Sequence, residues 1–183
     1  FDRFWYCSSL VRGPALSFSL LRTTTQLNDW ITVQQGDLQF VPTMGALHAG
    51  HGSVIRSASS MGPVLVSVFV NPLQFGPDED LDRYPRSLES DLVLAERWGA
   101  AALWAPSIEQ IYPHGLESHP PRLQVPLALQ EHLCGAMRPG HFDGVVAVVA
   151  RLLELVRPRQ LWLGEKDWQQ LVILRWLVAH LAL

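Results

Sequence analysis

Cysteine is nearly absent. Cys7 and Cys134 are the only two among 183 residues, too far apart in sequence to suggest a disulfide framework or a paired-thiol metal site, so a reducing, cytoplasmic compartment is the expectation. Long apolar runs are missing too. The most apolar stretches, 145–156 and 171–183, are broken by Arg151, Glu154, Arg175 and His180 and stop short of the ~20 apolar residues a bilayer crossing needs, so no membrane span is expected. Basic charge is scarce: 14 Lys and Arg against 17 Asp and Glu leave a net charge of −3, without the footprint of a nucleic-acid binder. No internal repeat, heptad run or low-complexity linker is found, which excludes solenoids and coiled coils. What remains is a chain with 48% hydrophobic residues, enough for one domain with a sizeable core. Residues 1–19 mix aromatics, Arg3, Arg12, Ser, Gly and Pro without the apolar centre of a secretory signal. They read as a weakly ordered lead-in, with one compact domain over 20–183.

The stretch with the most chemistry is 41–51, Val-Pro-Thr-Met-Gly-Ala-Leu-His-Ala-Gly-His. Phe40 and Val41 end a buried strand, Pro42 cannot continue its ladder, Gly45 and Gly50 let backbone approach a ligand, and a helical pattern starts near His48. Such a strand–loop–helix turn offers unpaired N–H groups and partial positive charge, a natural phosphate site. His48 and His51, spaced i, i+3, add donors on one helix face. A zinc reading lacks a third ligand and the usual H-E-x-x-H spacing, and two structural histidines are the bland alternative. Phosphate contact is favoured.

Elsewhere the pattern predicts an α/β chain. A helix is expected over 25–35 and a strand over 38–41, then a helix over 51–60 in which Gly52 costs ~1 kcal/mol relative to alanine and loosens the first turn. The β-branched run 64–70 predicts a strand buried on both faces, placing Asn71 and Gln74 at the rim where ligands bind in open sheets. A helix over 87–98 with Ser87 as its cap, a strand over 101–104, a helical turn over 106–112, a loop over 114–121, a strand over 123–126 and a helix over 127–133 follow. The longest helix is expected over 144–156, with Val145, Val146, Val148 and Val149 in the core. A strand over 160–163 then leads through Gly164-Glu-Lys-Asp167 into a helix over 167–181. That is a second strand–loop–helix phosphate turn, able to face the first across one crevice. Lys166 suits a triphosphate as a point charge, and Gln170, four residues on, shares its helical face. For Gln74 a polar turn residue, and for Arg138 and His141 a loop tied down by hydrogen bonds, stand beside ligand-binding roles.

Four strings carry a resemblance: 41–51, Val-Asn-Pro-Leu-Gln-Phe with Asp-Leu-Asp-Arg-Tyr-Pro-Arg at 70–86, Arg-Pro-Gly-His-Phe at 138–142, and Gly-Glu-Lys-Asp-Trp-Gln-Gln-Leu at 164–171. In order and spacing they closely resemble pantothenate synthetase, a family of the H-x-G-H nucleotidyltransferase superfamily. The resemblance implies a Rossmann-like, doubly wound parallel sheet and an ATP-dependent condensation of pantoate with β-alanine through pantoyl adenylate, with Mg²⁺. It implies that His48, His51 and Lys166 act in catalysis, with His51 as proton donor or phosphate ligand. ATP falls to Met44, Gly45, Ala46, Leu47, His48, Ala49, Gly50 and His51 and to Gly164, Glu165, Lys166 and Asp167. Gln74, Gln170 and Asn71 fall to pantoate, with Gln74 also reaching β-alanine, and Asp91 lies near the phosphates and Mg²⁺. Family members have a larger apolar residue in place of Gly52. They also continue into a Ser-Ser-Arg loop and a smaller domain closing over ATP, which do not occur before Leu183, so the resemblance implies an incomplete enzyme. A homodimer and a fused cytidylate kinase are further expectations of the same kind. The competing readings are another adenylyl or cytidylyl transferase of the superfamily and a non-catalytic binding or dimerising fragment.

Overall fold

A computed structural model describes residues 18–76, 81, 83–85, 87–116 and 124–181. Its centre is a five-stranded sheet in the order β1-β4-β3-β2-β5, parallel at every pairing. The strands are β1 (Ser19–Leu21), β2 (Gln39–Thr43), β3 (Val64–Val68), β4 (Ala102–Trp104) and β5 (Gln160–Leu161). The chain steps outward from β2 to β3 to β4, then returns to lay β5 on the other side of β2. Winding therefore reverses between β2 and β5, and a crevice opens at their carboxyl ends.

Strand alternation sends Phe40, Leu65, Ala102 and Trp104 to one face and Val41, Val64, Val66 and Leu103 to the other. The first face is covered by α1 (Thr24–Val33), α7 (His141–Val156) and α8 (Trp168–Leu181), and the second by α2 (Ala49–Ser59) and α3 (Leu88–Arg97). This is the doubly wound α/β fold that the pattern predicts. Short helices α4 (Ile108–Ile111), α5 (Leu127–Gln130) and α6 (Leu133–Met137) complete the connections, with a 3₁₀ turn at Pro72–Gln74. Among the described residues no helix is long and apolar enough to cross a membrane.

Several boundaries differ from expectation for local reasons. Residue 19, read as lead-in, opens an edge strand, because Ser19–Leu21 finds β4 as a partner. No strand forms at 124–126, since Pro126 brings no N–H and starts α5; Leu123 lies outside the described residues. The single helix expected over 127–133 is two, parted by Glu131 and His132, and α6 opens on Leu133 with φ of 49°. The longest helix begins three residues early, at His141, because Gly140 at φ 79° supplies the left-handed turn before it. Ser87 does stand before α3, but its side chain makes no capping bond.

Pro42 has a sharper role than expected, since β2 runs through it. In a parallel strand one residue's N–H and C=O address the same neighbour. Trp162 N donates to Phe40 O (2.9 Å), whereas Gln39 N donates to Pro63 O and Thr43 O accepts from Phe69 N (2.9 and 3.0 Å). Residue 42 therefore addresses β5, where it has no N–H to give. The β2–β5 ladder ends at Leu161, short of the expected 163, while the β2–β3 ladder continues to Thr43 and Val68.

Candidate functional site

The helix after the signature starts at Ala49, earlier than 51, so His48 is its N-cap and His51 its third residue. They cap each other's turn. His48 Nδ1 accepts from Gly50 N (3.1 Å) and His51 Nδ1 accepts from His48 N (3.2 Å), with ring centroids 4.1 Å apart. A ring that accepts at Nδ1 carries its proton on Nε2 when neutral. Both imidazoles thus keep an Nε2–H donor not spent on the cap. Burial, helped by the neighbouring His48, pushes His51 from 6.5 down to about 4, so at neutral pH it is an uncharged donor.

The loop 44–47 is held from behind. Asp91, only 1% exposed, accepts the Leu47 N–H at Oδ1 (2.6 Å), and the Tyr84 hydroxyl donates to Gly45 O (2.7 Å). Burial, with the Asp91 carboxylate nearby, raises the Tyr84 phenol above its usual value and keeps it a donor. Gly45 is required here: its φ is 70°, and a Cβ would lie 2.7 Å from Asp91 Oδ2 and 3.0 Å from Val68 Cγ1. The structure thus turns Asp91 toward the loop it supports, and Asp91 lines neither of the two cavities that form the crevice.

Gly52 does not loosen the first turn. It is buried, it makes the bond from its N–H to His48 O (3.1 Å), and its missing side chain is replaced by the indole of Trp98, whose Cε2 stands 2.5 Å from where a Cβ would be. The small residue and the large one are complementary.

Two adjoining cavities of about 500 and 560 Å³ form the crevice. Pro42, His48, His51, Leu163, Lys166, Asp167 and Gln170 line both. The first also reaches Met44, Gly45, Ala46, Gln74, Tyr84, Val145, Val148 and Val149, and the second Gly50, Ser53, Ser57, Gly164 and Glu165. The two phosphate turns expected from the sequence therefore do face each other. Lys166 lies in the loop before α8 and not on its face; its side chain is 87% exposed and pairs with Asp167 at 3.7 Å. Leu47 is buried beneath the loop and Ala49 is exposed outside both cavities.

Gln74 is 7% exposed, with Nε2 directed to Met44 Sδ at 2.7 Å. A thioether is a weak acceptor, so this N–H is open to exchange for a ligand oxygen. Asn71 stands behind Gln74 and not in the cavity wall. Its amide donates to Gly144 O (3.0 Å) and Gln74 Oε1 (3.3 Å), and its oxygen accepts from the Tyr112 hydroxyl (2.9 Å) and Leu73 N (3.3 Å). Sequence reasoning missed Tyr84 as a support and Trp98 as the filler over Gly52. Arg138 and His141 bind each other and the Gln74 carbonyl. Among the described residues no group of three or more His, Cys, Asp or Glu is placed to cage a metal ion.

Comparison with known proteins finds the same fold. The bifunctional pantoate ligase/cytidylate kinase of Synechococcus sp. (strain CC9902) is 87% identical over 142 residues, covering 78% of this chain and 29% of that protein. The protein of the same description from Prochlorococcus marinus (strain MIT 9313) is 65% identical over 162 residues, covering 86% of this chain and 32% of the relative. The chain thus spans about a third or less of the length of these curated relatives. Among solved structures, pantothenate synthetase from Thermus thermophilus superposes with a TM-score of 0.81 at 45% identity, covering 90% of this chain and 58% of that one. Pantoate-beta-alanine ligase from Francisella tularensis, complexed with beta-gamma ATP and beta-alanine, gives 0.83 at 37%, covering 89% and 62%. The Pantoate-beta-alanine ligase family model matches residues 19–183, and the chain belongs to that family.

Proposed function

We propose that the protein carrying this chain condenses pantoate with β-alanine at the expense of ATP, and that the chain supplies its pantoate pocket and part of its nucleotide site. The observation that carries this reading is one crevice flanked by two strand–loop–helix turns and lined by His48, His51, Lys166, Gln74 and Gln170. In the first step a pantoate carboxylate oxygen bonds to the α-phosphorus as the bond to the β-phosphate oxygen breaks, releasing pyrophosphate. In the second, the β-alanine amine attacks the acyl carbon, AMP leaves, and the nitrogen gives up a proton.

Negative charge grows on phosphate oxygens in the first step, and fixed donors aimed there stabilise it. The Nε2–H groups of His48 and His51, the start of α2 and Lys166 fit that task. A His51 that is neutral down to about pH 4 favours the phosphate-ligand role over that of proton donor. With no carboxylate cage among the described residues, Mg²⁺ would be carried in by the triphosphate and would neutralise its oxygens. Uncharged Gln74 and Gln170 suit pantoate because an arginine clamp would blunt the attacking carboxylate; Gln74→Arg is expected to bind pantoate and lose adenylation. Because the named relatives are bifunctional, a cytidylate kinase fused to the ligase is part of the proposal, as are cytoplasmic location and a homodimer.

The test is pantoate-dependent exchange of labelled pyrophosphate into ATP by the 183-residue chain, with Mg²⁺, without β-alanine, and after circular dichroism shows it folded. Exchange that requires pantoate supports adenylation by this part alone. A folded chain without exchange assigns it an incomplete site, and a longer version then tests the ligase reading.

A further inference from the structure

The motif Arg138-Pro-Gly-His141 is not used by the chemistry above, yet it converges on Gln74 from across the fold. His141 Nδ1 lies 2.8 Å from Gln74 O, Arg138 Nη2 lies 3.4 Å from the same oxygen, and Arg138 Nη1 lies 3.1 Å from His141 Nε2. A guanidinium only donates. Nε2 of His141 must therefore accept, which puts the ring's proton on Nδ1, where it is donated to the Gln74 carbonyl. Arg138 fixes the tautomer, and the tautomer fixes the turn. The same turn is pinned at its other end by Asn71 donating to Gly144 O (3.0 Å), and Gly144 lets the α7 backbone come against Leu73 O.

We propose that Arg138 and His141 are positioning residues for the ligase reaction, which hold the Pro72–Gln74 turn so that the Gln74 amide projects into the crevice at a set height. The proposal rests on the ligase reading for what Gln74 binds. Neither residue need touch substrate. His48 and His51 present Nε2–H, whereas His141 uses the opposite tautomer, so His141 is told apart from the other two by which nitrogen is protonated.

The experiment pairs ring-nitrogen spectroscopy with a mutant cycle in the full-length protein. Nitrogen-15 shifts at neutral pH are expected to show His141 protonated on Nδ1 alone, and Arg138→Met to release that preference. His141→Leu is expected to lower kcat/KM for pantoate on the order of 10- to 100-fold, the scale for a misplaced binding group, with KM for ATP unchanged. His141→Asn restores most of it, because an asparagine Nδ2–H stands where the imidazole Nδ1–H stood. In a Gln74→Ala background, His141→Leu is expected to cost less than about threefold, since residues acting through one partner are not additive. An Nε2–H or doubly protonated His141, or an equal loss in both backgrounds, overturns the proposal. Absence of pantoate-dependent exchange in the wild type would instead sink the ligase reading, and the nitrogen shifts then decide the clamp alone.

Discussion

Adding one methyl group at Gly52 is expected to reverse the usual gain from replacing a helical glycine. In an open helix Gly→Ala stabilises by about 1 kcal/mol. Here the new Cβ would sit 2.5 Å from Trp98 Cε2, 2.7 Å from Cδ2 and 2.9 Å from Nε1, so the indole must retreat by about 1 Å to reach ordinary carbon–carbon separation. Overpacking of that kind costs about 1–3 kcal/mol. Trp98 ends α3 and is half-buried, so it yields more readily than a core ring, but its helix is anchored by Asp91 and Ala95 beneath. The net expectation for Gly52→Ala is a loss of about 1 kcal/mol, a fall in Tm of roughly 2–4 °C for a chain of this size. In a Trp98→Ala background the obstruction is gone and the same methyl should stabilise by about 1 kcal/mol, a coupling of about 2 kcal/mol. Urea unfolding followed by far-UV circular dichroism measures all four proteins without relying on the deleted indole. A higher midpoint for Gly52→Ala with Trp98 present, or additive effects, would refute the complementarity of the two residues.

Asp91→Ala leaves the buried Leu47 N–H without its 2.6 Å partner and should cost about 1–3 kcal/mol and weaken ATP binding, read by thermal melts and nucleotide titration. Tyr84→Phe removes the 2.7 Å bond to Gly45 O and should cost about 0.5–1.5 kcal/mol in the same melts. His51 is lowered from 6.5 to about 4 in the fold, so its stabilising share is complete above pH 6.5 and drains as pH falls toward 4. That share is at most about 3 kcal/mol, less what solvent screens; a ring-proton NMR midpoint near 6.5 would contradict it. Lys166→Met, at a side chain 87% exposed, should leave Tm unchanged while lowering the pantoate-dependent exchange rate about 10²–10³-fold; a large fall in Tm would assign the residue to the fold instead.

How much of the fold and of the site is legible in the sequence depends on whether the information is local. β3, α3, α7 and α8 follow from apolar periodicity and turn residues within one window, and their existence is readable there. β1 is not, because three residues with only Leu21 buried carry no period; the strand exists by virtue of β4. The cavity-lining residues from Met44 to Ala46, with His48, His51, Gln74, Lys166 and Gln170, are legible as motif positions. Their supports are not. Asp91 reaches Leu47 across 44 residues, Tyr84 reaches Gly45 across 39, and His141 reaches Gln74 across 67. In each case the sequence shows a polar side chain whose ordinary reading is a helix-dipole partner or a loop residue, and only the fold supplies the backbone group it serves.

Pro42 shows both halves of that lesson in one residue. Its missing N–H is a local fact, and from it a strand end follows. Which strand ends is not local: the answer depends on which neighbour residue 42 addresses, and so on the sheet order. Because it addresses β5, the proline leaves β2 paired to β3 up to Thr43 while releasing the chain after Leu161 to diverge. The divergence places Trp162 and Leu163 in the wall of the crevice and sends Gly164 to Asp167 toward His48 and His51. A residue able to donate at position 42 would favour two more rungs of ladder and a narrower opening at the point where the two phosphate turns must stand apart. The proline that reads as a strand terminator therefore coincides with the end of one ladder of β2 and not the other.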